Sequence, residues 1–133
     1  MREDTRNARN AARTAELYVV VRRRIVLVLR DLETVGLHPR IQEAWRSPAD
    51  QLRAYETGHS KLKFGFHNVT GATGKPEALA ADILDDDNPL NPRPSYLLQL
   101  AATAERHGMA TGIRWGLPAA FAGAIDAAIA AHA

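Results

Sequence analysis

Six apolar residues, Leu17, Val21, Ile25, Val28, Leu32 and Val35, recur at steps of four and three. That spacing keeps one face of a helix apolar for about five turns. A stripe of this length must lie against a second layer, so the chain needs other elements to cover it. Val19, Val20, Val26 and Leu27 widen the stripe and raise a strand alternative, but the regular spacing favours helix. The helix is expected from about Thr14, with Gly36 as its C-terminal cap and Pro39 soon after. Arg22, Arg23 and Arg24 interrupt the apolar run from Leu17 to Leu29, which excludes a signal-peptide core or a membrane span there. Residues 1–13 are polar and rich in Arg and Asn, and a frayed start is expected.

The rest of the chain supplies shorter elements. His38 to Trp45 reads as a strand in which Ile41, Glu43 and Trp45 alternate with Gln42 and Ala44. Ser47-Pro48-Ala49-Asp50 starts a helix: serine caps, proline takes the first helical position, and Asp50 closes a capping box. Leu52 and Tyr55 would form its inner face, and Gly58 ends it. A Gly-rich loop over 59–78 leads to Leu79–Leu84, a short apolar strand interrupted by Asp82. Asp85, Asp86 and Asp87 read as a solvated turn. Ser95 would cap a helix over Tyr96–His107 with Leu97, Leu100, Ala101 and Ala104 inward, ended by Gly108. Met109–Trp115 has the length of a strand, and Pro118–Ala131 is an alanine-rich helix with Phe121, Ile125 and Ile129 on one side. At 133 residues this predicts a single α+β domain, residues 1–133, with a small antiparallel sheet packed against helices.

The chain has no cysteine, which excludes disulfides, thiolate metal sites and cysteine nucleophiles. Its net charge is +2, with the basic residues concentrated early: Arg2, Arg6, Arg9, Arg13, Arg22, Arg23, Arg24 and Arg30. Nucleic acid or an anionic wall polymer would suit such a surface, and so would plain solvation. No nucleic-acid motif accompanies the arginines, so nucleic acid is not the expected partner.

Chemistry concentrates between Arg46 and Asp82. His67 and Asp82 stand on either side of the Gly-rich loop, and both are ligand types for zinc. A carboxylate inside an apolar strand needs a charge partner or a metal, which Asp82 would satisfy in that way. Upstream, Arg46, Gln51 and Ser60 are donors for an anionic substrate. The run Arg46-Ser47, Gln51, Tyr55, Gly58 and Ser60, followed by His67-Asn68 and Ala81-Asp82, resembles the zinc D-Ala-D-Ala carboxypeptidase and L-alanyl-D-glutamate endopeptidase family. That family includes phage endolysins. The similarity covers about residues 38–118, and Trp115-Gly116-Leu117-Pro118 resembles the tail of some phage members.

The resemblance implies Zn2+ held by His67 and Asp82, with Arg46 contacting substrate and Gln51 and Ser60 beside it. It implies hydrolysis of peptidoglycan stem peptides by a monomer made in the cytoplasm without a signal peptide and acting on the wall after release. The chain departs from the family in three ways. Fifteen steps separate His67 from Asp82, more than the family has. Gly65 stands where a serine is frequent. The late strand that carries an acidic residue and a histidine, the third ligand, is missing. His132 and Asp126 are its weak replacements, six residues apart and so on different faces of one helix. The alternative implied by that gap is a truncated or inactive peptidase-like domain that binds wall peptide or a protein partner without cutting.

Overall fold

The computed structural model describes residues 1–62, 64–114 and 119–131. The protein is α+β: five α-helices and a two-stranded antiparallel sheet among the described residues. The helices are α1 (Glu3–Thr14), α2 (Val19–Thr34), α3 (Pro48–Glu56), α4 (Pro94–Arg106) and α5 (Ala119–Ala130). The strands are β1 (Pro39–Glu43) and β2 (Asp82–Asp85). No helix among the described residues is long and apolar enough to cross a membrane. The chain divides into two compact units, each built from two separate stretches of sequence: residues 1–22 with 40–83, and residues 23–39 with 84–133.

In the first unit, residues 3–14 are helical rather than frayed. The buried stripe of α1 is polar: Arg6, Asn10 and Thr14, at steps of four. A hydrophobicity pattern cannot find such a face. Its cause is a main-chain need. The Asn10 Oδ1 accepts from the Ile41 N–H at 2.8 Å. Arg9 donates from Nε to the Ile41 carbonyl (2.9 Å) and from Nη2 to that of Gln42 (2.7 Å). α1 thus satisfies strand-edge groups of β1 that would otherwise be orphaned. Arg22 closes the far end, donating to the carbonyls of Thr14, Ala15 and Leu17 at 3.1 Å each. Those carbonyls belong to a helix end that has run out of intrahelical partners. The long helix expected from Thr14 begins only at Val19, and Leu17 instead forms a parallel bridge with Ala78. Leu17, Ile41, Ala44 and Ala78 are fully buried and form the apolar centre of this unit.

α3 begins as its sequence predicts, with Ser47 Oγ accepting from the Asp50 N–H at 3.1 Å and Pro48 at the first helical position. Its inner face differs. Leu52 and Tyr55 are exposed, and Gln51 is the buried residue.

In the second unit the stripe of α2 is buried at Ile25, Val28, Leu29 and Leu32. Gly36, with φ +84°, turns the chain out of the helix, and the Leu37 N–H returns to the Leu32 carbonyl at 3.0 Å. α4 starts two residues earlier than predicted, with Pro94 at the first helical position after Arg93, and it buries Tyr96, Leu100, Ala101 and Ala104. Ile125 of α5 packs on Ala101 and Ala102, flanked by Phe121 and Ile129. The strand expected over 109–115 is instead a 3-10 turn at Gly112–Arg114, since Gly108 and Gly112 leave too few consecutive residues for a ladder. Trp115 to Pro118 and His132 lie outside the described residues.

The purposeful buried charge is not Asp82, which is exposed, but Asp85. Asp85 accepts from Arg93 Nε (2.9 Å) and Nη2 (3.0 Å), so the first residue of the acidic run is not solvated. The strand starts three residues later than predicted and ends one later, over Asp82–Asp85, and its last residue, Asp85, is the buried one.

Candidate metal centre

Three segments of the first unit converge on one point. Glu43 ends β1, His67 sits in a 3-10 turn at Phe66–Asn68, and Asp82 opens β2. One ligand atom from each lies within 4.8 Å of the others. Glu43 and His67 are half-buried and Asp82 is exposed.

Local contacts fix His67. Its Nδ1 lies 2.7 Å from the Ala44 carbonyl and donates to it. The Arg46 N–H donates to the His67 carbonyl at 2.9 Å. Asn68, fully buried, donates from Nδ2 to the Arg46 carbonyl (2.9 Å) and accepts the Gly65 N–H on Oδ1 (2.6 Å). The ring is thereby held in one orientation, with Nε2 facing Asp82 Oδ1 at 3.6 Å. That distance is an ion-pair contact, too long for a hydrogen bond. Two ligands placed tetrahedrally on zinc stand about 3.3 Å apart, from bond lengths of about 2.0–2.1 Å. A histidine whose Nδ1–H is bound by a backbone carbonyl presents the Nε2 lone pair that a metal requires.

Asp82 opposite Nε2 raises the His67 pKa; burial pulls it down, and the Ala44 carbonyl and the charge of Glu43 add to the rise. The two carboxylates thus favour positive charge beside Nε2.

Glu43 was not among the residues singled out by sequence. The signal was present: it stands two residues from buried Ile41 on a strand, on the apolar side. Its Oε2 accepts from Arg46 Nη2 at 3.1 Å. Its Oε1 is 2.8 Å from Arg46 Nε but out of line for a hydrogen bond, and it is shielded from solvent with no other donor among the described residues. A cation at Oε1 would share that oxygen with the guanidinium.

Arg46, Gln51 and Ser60 are brought together as one chain of contacts. Arg46 Nη1 donates to Gln51 Oε1 (3.1 Å), and Gln51 Nε2 donates to Ser60 Oγ (2.8 Å) and to the Leu62 carbonyl (2.7 Å). Gln51 is 6% exposed and its amide is fully engaged, so it braces Arg46 from below. Arg46 stays partly open to solvent. Of the weak ligand candidates, Asp126 pairs with Arg114 at 2.7 Å in the second unit. No protein-family model, no curated protein and no solved structure matches the chain.

Proposed function

We propose that Glu43, His67 and Asp82 are the protein ligands of a zinc ion, and that the chain is a zinc-dependent peptidoglycan peptidase of the endolysin type. The observation that carries the reading is the convergence of one imidazole and two carboxylates from three chain segments, with the imidazole already locked in its ligating tautomer. The donor set fits the ion: one neutral nitrogen and two carboxylates balance its double charge and leave a position open. Glu43 stands in for the late histidine that the family resemblance requires and this sequence does not show.

Zinc held by Glu43, His67 and Asp82 would supply an acidified water and polarise the scissile carbonyl. The chain's own residues do the rest. Ala44 holds the His67 ring. Arg46 holds Glu43 by a hydrogen bond to Oε2 and an ion-pair contact at Oε1, the oxygen that the ion would share. The Arg46 N–H groups not used by Glu43 and Gln51 are donors for a stem-peptide carboxylate. Gln51 and Ser60 fix that guanidinium rather than touching substrate themselves.

The cluster has three members, and as ligands all three are occupied. None is left to move a proton, which favours a second reading, a domain that binds wall peptide without cutting it. Metal analysis of the dialysed protein tests the site: about one zinc per chain is expected, with loss in His67→Ala and sharp reduction in Glu43→Gln. Release of peptide fragments from purified peptidoglycan then separates peptidase from binder. Zinc bound without cleavage leaves the binding domain. No zinc at all removes both the metal centre and the peptidase.

A further inference from the structure

All three lysines of the chain, Lys61, Lys63 and Lys75, fall between Thr57 and Pro76, a stretch with no Asp or Glu; every other cationic side chain is arginine. The same stretch holds two of the three phenylalanines. Leu62 is 58% exposed, Phe64 58% and Phe66 70%, in the loop that leads from α3 to His67. Three large apolar side chains in five consecutive positions, all facing solvent, form a feature that marks a contact surface rather than scattered exposure.

The loop is held from underneath. Buried Gln51 binds the Leu62 carbonyl at 2.7 Å, and the Leu62 N–H donates to Ser60 Oγ at 3.2 Å. Buried Asn68 takes the Gly65 N–H at 2.6 Å, and the Leu79 N–H donates to the Phe66 carbonyl at 2.9 Å. The main-chain groups of Leu62, the Gly65 N–H and the Phe66 carbonyl are thus bonded within the protein while the side chains of Leu62, Phe64 and Phe66 are exposed. That is what entry into a weakly hydrated medium demands, because there an unpaired backbone group has no water to bind.

We infer that the 61–66 loop is an interfacial membrane-docking element that inserts Leu62, Phe64 and Phe66 at the headgroup boundary of an anionic phospholipid bilayer. Apolar residues supply burial and Lys61, exposed beside Leu62, meets the negative surface, the pairing of signals that peripheral attachment needs. Lysine suits the place because its long stem lies along apolar surface while the ammonium reaches the phosphates. Lys61 and Lys75 are exposed. A phosphate-bearing wall polymer would gain from the lysines but give nothing to the phenyl rings. A symmetric second copy would face lysine with lysine. The inference stands apart from the zinc reading, since no metal ligand takes part in it.

The test is cosedimentation of the whole chain with vesicles of phosphatidylcholine alone or mixed with phosphatidylglycerol. Binding is expected only to the anionic vesicles, weakened by salt, and about tenfold weaker in the Phe64→Ser/Phe66→Ser variant. Circular dichroism checks the fold, and should that double variant not fold, Leu62→Ser and Lys61→Glu are each expected to weaken binding instead. Absence of binding to anionic vesicles, or equal binding by the loop variants, overturns the inference. So does a concentration-dependent dimer that the loop substitutions abolish without any vesicle binding, which assigns the surface to a second copy. Retention on purified peptidoglycan, lost in the same variants and again without vesicle binding, assigns it to substrate and overturns it equally.

Discussion

The side chain of Asp85 is wholly buried, and Arg93 is what makes its charge tolerable there. Burial pushes the Asp85 carboxyl up, but the Arg93 guanidinium, with the main-chain N–H groups of Arg93 and Asp87, outweighs it and holds the group below the usual carboxylate range. A carboxyl depressed in the folded state adds stability above its unfolded pKa of about 3.9, and that stability is lost as pH falls through the lower folded value. Arg93 is 40% exposed, but removing it leaves the wholly buried Asp85 carboxylate uncompensated. Arg93→Ala is therefore expected to lower stability at neutral pH in urea denaturation. Asp85→Asn should flatten the fall in stability below about pH 4 relative to the parent chain. If both variants unfold with the parent's midpoint and the parent's acid dependence, the pair contributes nothing.

At the scale of elements, two helices begin for opposite reasons. α3 is written locally: Ser47 caps it and Pro48 fits its first turn. Ser47→Ala should cost about 1 kcal/mol, the usual worth of a cap. α1 is written by a distant strand. The Asn10 amide oxygen binds the Ile41 N–H across 31 positions of sequence. Asn10→Ala leaves that buried N–H without an acceptor and should cost about 1–3 kcal/mol. Hydrogen exchange at the Ile41 amide is the direct check, with protection lost in Asn10→Ala and retained in Ser47→Ala. The early arginines belong to this level too. Arg9 and Arg22 bind carbonyls of the first unit, and Arg24 binds the Gly108 carbonyl in the second at 3.0 Å. Three of the eight early arginines, Arg9, Arg22 and Arg24, are thus occupied in holding main chain.

For the molecule as a whole, the metal proposal has a thermodynamic consequence. An ion that binds the folded chain and not the unfolded one stabilises it by mass action, about 2.7 kcal/mol at a concentration 100-fold above its dissociation constant. Zinc should raise the melting temperature in proportion to the logarithm of its concentration. His67→Ala should abolish the rise, while a change outside the centre such as Ser47→Ala should keep it. Proton and metal compete for Nε2 of His67, so the rise should be larger at pH 8 than at pH 6. A rise independent of pH would mean that zinc binds elsewhere.

Periodicity and punctuation alone decided much of this protein: the stripe of α2, the cap of α3, the end at Gly36, the body of α4 and the packed face of α5. These features depend on neighbours within about four residues, which a sequence displays directly. His67 and Asp82, far apart in sequence, lie in one cluster of possible ligand atoms. Tertiary structure alone decided the rest. It made a polar segment into α1, because an asparagine and an arginine were needed at a strand edge far along the chain. It turned Gln51 inward and Leu52 outward. It buried Asp85 rather than Asp82, since a shift in where the strand falls moves the carboxylates between solvent and interior. It also added Glu43 to His67 and Asp82. Hydrogen bonds and ion pairs between distant residues leave no periodic trace in sequence, so those choices become visible only once the chain has closed on itself.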